Sequence, residues 1–155
     1  MKLKITSPMA AKIRADLRKA IALPGVDERL AIVYARFASE VTQTVVVAAD
    51  YAMLPDNAYV AGPDAANFDV RWLMQMAQGA DRRNCGLLLT HLHEHKGRPW
   101  FSPADLWTVR EVLYSLYRAS PRFPQGALLF SSDAAVALIA SAGGFVAVRD
   151  VSIVP

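Results

Sequence analysis

The chain has 155 residues, 54% of them hydrophobic and 20% charged, with a net charge of +3 at neutral pH. That length suits one domain, residues 1–155, burying its own core without disulfide or metal staples, and the composition excludes a disordered chain. The basic residues are scattered in ones and twos, which argues against nucleic acid as a partner.

The N-terminal stretch MKLKITSPMAAKIRADLRKAIALP mixes charged and apolar residues and carries neither an uninterrupted hydrophobic region nor a cleavage signal. Ser7-Pro8, followed by Met9, Ile13, Leu17 and Ile21, reads as an amphipathic helix with Ser7 as its N-cap and a first-turn proline. LPGVD (residues 23–27) then breaks it. ERLAIVYARF and TQTVVVAADYAML read as two adjacent antiparallel strands, with Asp50-Tyr51 in a turn. DVRWLMQMAQGA reads as a second helix, on which Trp72, Met74 and Met76 form core or a packing edge. CGLLLTHLH is a buried strand, and Cys85, the only cysteine, reads as a buried bystander that permits no intramolecular disulfide. A third helix begins at Ser102-Pro103-Ala104-Asp105 and presents Leu106, Val109, Leu113 and Leu116 on one face. GALLFSS, AAVALIAS and GGFVAVRDVSIV close the chain as strands, the middle one also compatible with a helix.

These elements make an α/β domain, a mixed and largely antiparallel sheet flanked by helices. No apolar run approaches the roughly 20 residues that span a bilayer. A cytoplasmic protein without membrane contact is expected, and homodimer formation is left open.

All three histidines fall in HLHEHKGRPWFSPAD, at His91, His93 and His95. Alternate residues of a strand share a face, so these imidazoles can point together. Zinc takes nitrogen donors and often a carboxylate, and a helix starting just beyond the strand brings Asp105 within reach. Each part has an ordinary reading too. Ser102-Pro103-Ala104-Asp105 is a good helix start, with a serine cap, a proline and an acid in the first turn, and an HxH alone is often incidental. Their coincidence behind an aliphatic strand favours a metal site.

The run resembles the JAMM motif of the JAB/MPN zinc metalloprotease family, in its compact prokaryotic type: an HxH pair at a strand end, then an SxxD helix start. The resemblance implies JAB/MPN-like layering, akin to cytidine deaminases, with His91, His93 and Asp105 as zinc ligands and Ser102 as the motif serine. It also implies a catalytic glutamate opening an early strand, followed by two glycines. Glu28 matches that position, with Ala31 and Ala35 where the glycines stand. Residues 94–101 between His93 and Ser102 are one more than the family spacing, which leaves a second register with His93 and His95 as ligands. The proline that often follows the second histidine is Glu94 here. Glu94 and His95 read as bystanders or as lining of the site.

The implied chemistry is peptide or isopeptide hydrolysis at the C-terminal tail of a ubiquitin-like protein or conjugate. Zinc would activate a water, Glu28 would carry its proton to the leaving amine, and Ser102 would bond the oxyanion. Two alternatives remain: a non-catalytic MPN-like scaffold, and a histidine-triad nucleotide hydrolase, for which Glu94 and Lys96 break the hydrophobic interleaving. Trp100 and Phe101 anchor the loop or wall a substrate groove, and FSSDAAV (residues 130–136) lies beside the site.

Overall fold

The computed structural model describes residues 1–19, 25–26, 28–60, 68–148 and 150–155. Its elements run β1 (Lys2–Thr6), α1 (Ser7–Leu17), β2 (Ala31–Glu40), β3 (Gln43–Met53), α2 (Val70–Arg82), β4 (Gly86–Leu92), α3 (Pro103–Thr108), α4 (Tyr114–Ala119), β5 (Gly126–Phe130), β6 (Ala135–Ser141), β7 (Gly144–Val148) and β8 (Val151–Val154). A π-helical turn, Val109–Leu113, joins α3 to α4, so the third helix expected from the sequence is one element with an over-wide turn.

The strands form one mixed sheet in the order β7-β6-β5-β4-β2-β3-β1-β8. Pairing is antiparallel at β2/β3, β2/β4, β5/β6 and β6/β7, and parallel at β4/β5, β1/β3 and β1/β8. β7 and β8 are consecutive in the chain yet stand at opposite edges, and β6 touches β8, so the sheet curls until it is nearly barrel-like. Its side chains alternate between two apolar clusters. Ala31, Val33, Leu88, Leu128 and Phe130 join Ala10, Ile13 and Leu17 of α1 in one. Ile32, Tyr34, Leu87, Leu89 and Ala127 join Leu73 of α2 with Val109 and Leu113 in the other.

Several expectations need correction. Lys2–Thr6 is a strand, with Leu3 and Ile5 fully inside; its period-2 pattern lies in KLKIT, but two lysines and five residues made a weak signal. The α1 cap is Thr6, with Ser7 already helical and no side-chain cap bond. Ile21 and most of LPGVD lie outside the described residues. Asp50-Tyr51 does not turn the chain: β3 continues to Met53, and the pairing of β2 with β3 shifts register at Tyr34/Ala35, so a bulge absorbs the irregularity. The AAVALIAS segment is strand β6, and GGFVAVRDVSIV divides into β7 and β8. Cys85 is buried, as expected. On α2, Trp72 and Met76 pack against the second cluster, whereas Met74 is exposed. Among the described residues no helix is long and apolar enough to cross a membrane.

β4 and β5 are neighbours and parallel, so the chain crosses over between them, and α3 and α4 make that crossover. The backbone of Pro124 presses so close to Gly86 that a Cβ there would sit 1.8 Å from the Pro124 carbonyl oxygen. A side chain at Gly86 would therefore push the crossover off the start of β4. The same topology returns the start of α3 to the carboxyl end of β4, where open sheets carry ligands.

Candidate metal centre

β4 is buried along its whole length, and its period-2 alternation puts His91 on the face of Leu87 and Leu89. His91 is only 5% exposed. His93 lies just past the strand, held by its amide, which donates to the Phe130 carbonyl at 2.9 Å. The two imidazoles meet edge to face with centroids 4.9 Å apart.

Asp105 approaches from the first turn of α3. His91 Nε2 is 3.1 Å from Asp105 Oδ1, and His93 Nε2 is 3.7 Å from Asp105 Oδ2. Ser102 and Asp105 also form a capping box. The Ser102 amide donates to Asp105 Oδ2 at 2.7 Å, and the Asp105 amide donates to Ser102 Oγ at 3.2 Å. One carboxylate therefore both fixes its helix and faces the histidines. Glu28 completes the set: it, His91 and His93 each offer a ligand atom within 4.8 Å of the others, a group that could hold a metal ion. Glu28 does not open a strand, however. β2 begins at Ala31, and Glu28 sits on the segment leading into it.

The donor chemistry fits a cation. His95 Nε2 is buried and unpartnered, and so is His91 Nε2, which makes no hydrogen bond although it lies 3.1 Å from Asp105 Oδ1. Such an unpaired buried atom costs about 1–3 kcal/mol, a cost a cation between nitrogen and carboxylate would remove. Burial and the adjacent His91 lower the His93 imidazole below its ordinary value, against the pull of Asp105 and Glu28. Burial pushes the Asp105 carboxyl up, but nearby His91 and hydrogen bonding from Ser102 outweigh it and hold the group at about 2. A neutral imidazole and an ionised carboxylate are the forms that bind metal.

The other candidates separate. His95 stands beside the pair without joining it: its ring centroid is 6.3 Å from that of His93, it stacks on Trp100 at 4.7 Å, and its Nδ1 lies 2.9 Å from the Lys96 carbonyl oxygen. The metal-capable group consists of Glu28, His91 and His93, which favours the His91/His93 register over one with His95; Asp105 lies outside that group but within 4 Å of both imidazoles. Glu94 is exposed and bonded to Arg18 Nε at 2.7 Å. Phe101 lines the pocket beside the site, whereas Trp100 stays exposed over His95. Ala31 and Ala35 are fully buried in the α1-side cluster, so their methyl groups fit within β2 as it pairs with β4.

Residues 131–134, expected beside the site, grip the histidine loop. Gly97, in a left-handed conformation at φ +81°, donates its amide to Asp133 Oδ1 at 2.7 Å. Ser131 Oγ donates to the Gly97 carbonyl at 2.6 Å, and the Ser132 amide donates to the His95 carbonyl at 2.9 Å. Arg14 of α1 ties this turn down through the carbonyls of Ser131 and Ala134. The Ser-Ser-Asp after β5 was the available turn signal, but its partner lies over thirty residues away.

Beside the metal-capable group lies a small half-enclosed pocket of about 40 Å³, lined at its polar end by Glu28, His91 and Asp105. No family model matches the chain. None of the curated proteins is significantly similar to it.

Proposed function

We propose that the chain is a zinc-dependent metallohydrolase of JAB/MPN type that cleaves a peptide or isopeptide bond, with the C-terminal tail of a ubiquitin-like protein or conjugate as the substrate class. The observation that carries this reading is the convergence of Glu28, His91, His93 and Asp105 around a buried, unpartnered imidazole nitrogen. His91, His93 and Asp105 would hold the ion. Zinc, when bound, supplies Lewis acidity that polarises a carbonyl and makes water acidic near neutral pH.

The chain's own groups do the rest. The Glu28 carboxylate takes the proton of the attacking water and passes it to the leaving amine, work worth roughly 10²- to 10⁴-fold in rate. Ser102 Oγ already accepts from the Asp105 amide, which leaves its O–H to donate toward the developing oxyanion. The histidine-triad alternative loses support, because His95 stacks on Trp100 instead of joining the other two rings at the carboxylate.

The test is zinc content of the purified protein, with hydrolysis of a fluorogenic ubiquitin-like tail measured before and after chelation. One zinc per chain and chelator-sensitive cleavage, lost in Glu28→Gln with zinc retained, are expected. Folded protein that takes up no zinc, or a Glu28→Gln variant with full activity, would overturn the proposal. Zinc uptake with no cleavage would favour the silent scaffold.

A further inference from the structure

The sheet carries His91, but Asp105 rides on α3, one of two six-residue helices that are too short to be stable unless packed. No residue of α3 is buried, and none of α4 is either. The crossover is anchored between them, in the π-helical turn, where Val109 is 3% exposed and Leu113 is fully inside. Both belong to the apolar cluster that also takes Leu87 and Leu89 of β4, and the turn lies against β5. The capping box ties Asp105 to the start of its own helix. Where that helix stands over the sheet is left to the two anchors.

Their spacing accounts for the wide turn. In a regular α-helix each step of four residues overshoots a full turn by about 40°, so Asp105, Val109 and Leu113 would spread over about 80°. A π-helical turn bonds residue i to i+5 and needs more residues to come round. The step from Val109 to Leu113 therefore falls short of a full turn and cancels the first overshoot. The carboxylate and both anchors then share one face, and Asp105 and Val109 do line the same pocket. We infer that Val109 and Leu113 are positioning residues of the metal centre, kept in register with Asp105 by the π-helical turn. The inference rests on the metal-site reading above and deepens it: core packing on the crossover, beyond the ligands themselves, sets zinc affinity.

The test compares two fully buried leucines of one apolar cluster, Leu113 in the turn and Leu73 on α2. Zinc is titrated by calorimetry into wild type, Leu113→Ala, Val109→Ala and Leu73→Ala, with thermal unfolding of each metal-free protein measured alongside. Leu113→Ala should bind zinc about tenfold more weakly, the low end of the loss seen for groups that orient ligands, and Val109→Ala should move the same way. Leu73→Ala should lose comparable thermal stability and keep wild-type zinc affinity. Leu113→Met preserves volume and should recover most of the binding. Val109→Ala takes less from the core, so it carries the comparison should Leu113→Ala not fold. Turn variants that lose stability but not zinc affinity, or an equal loss of affinity in Leu73→Ala, would overturn the inference and leave the zinc site standing. A wild-type chain that takes up no zinc would bring down the metal reading, and the inference with it.

Discussion

The two halves of the candidate site are built differently. His91 lies inside β4, in register with Leu129 of β5, and Leu92 beside it pairs with Phe130. His93 is tied by its amide to the Phe130 carbonyl, and the loop behind it is gripped by residues 131–133. Among the described residues no strand pairing flanks Glu28, since β2 begins at Ala31. Its neighbours are held from outside β2: the Leu30 amide donates to the Tyr59 hydroxyl at 2.6 Å, the Leu54 amide donates to the Leu30 carbonyl at 2.9 Å, and Arg29 pairs with Asp56 at 2.8 Å. Main chain fixes the imidazoles, whereas side chains from a later segment do much of the work of placing the glutamate. Zinc affinity and catalytic rate should therefore respond to different substitutions.

The largest effect is expected on the imidazole side. His93→Ala or Asp105→Ala should weaken zinc binding by well over the roughly 10–100-fold typical of losing an outer-sphere partner, and hydrolysis should vanish with the metal. Isothermal titration with zinc, read beside circular dichroism, checks it. An Asp105→Ala protein that keeps wild-type zinc affinity would break the ligand assignment, because among the described residues that carboxylate alone lies within 4 Å of both histidines.

Glu28→Gln comes next. Hydrolysis should fall by roughly 10²- to 10⁴-fold, the span attributed to a positioned proton carrier, with zinc affinity within about threefold of wild type. A Glu28 oxygen also lies within 4.8 Å of a ring nitrogen of each imidazole, so the same titration decides between roles. If zinc affinity collapses with Glu28→Gln, the glutamate is a ligand and the contrast between the two halves dissolves.

Asp133→Ala should have a middling effect. It frees the Gly97 amide and loosens the loop that follows His93. Zinc affinity should drop by about tenfold, the low end of outer-sphere losses, with rate per bound zinc little changed. Asp133→Asn keeps an oxygen to accept from Gly97 and should restore most of the affinity. A drop in thermal stability with no change in zinc affinity would show that the grip serves the fold alone.

What was legible in the sequence follows the same division. His91, His93, Ser102 and Asp105 could be found because one strand end and one helix start carry them, so local periodicity and cap chemistry suffice. β4 was legible as an aliphatic run entering His91. Glu28 was singled out by likeness to a family motif, and its strand was expected three residues early, since the ties from Tyr59 and Leu54 that hold Leu30 outside the ladder are long-range. The turn at residues 131–134 was visible as a turn, but its grip on Gly97 depends on β5 lying beside β4, which no local pattern encodes. β1 was missed because Lys2 and Lys4 dilute a five-residue strand whose two inward residues, Leu3 and Ile5, are its whole apolar signal.

The smallest effect is expected at Tyr59, on the glutamate side. Its hydroxyl takes the Leu30 amide, and both residues are buried. Tyr59→Phe leaves that amide without a partner, at a cost of about 1–3 kcal/mol. It should reduce the hydrolytic rate a few-fold by loosening the approach to Glu28, with zinc affinity unchanged. Burial raises the Tyr59 phenol above its ordinary value, so in alkali the unfolded chain loses this proton first. The stability tied to the neutral phenol is therefore complete below pH about 10 and declines as pH climbs through the folded value. Tyr51, pushed up to about 12 by burial and by its bond to Asp16, shares in that decline. Alkaline unfolding of Tyr59→Phe should consequently show a shallower loss of stability above pH about 10, without disappearance of the loss. An identical slope in the two proteins, or a variant whose zinc affinity falls with its rate, would mean that Tyr59 does not set the glutamate side independently of the imidazoles.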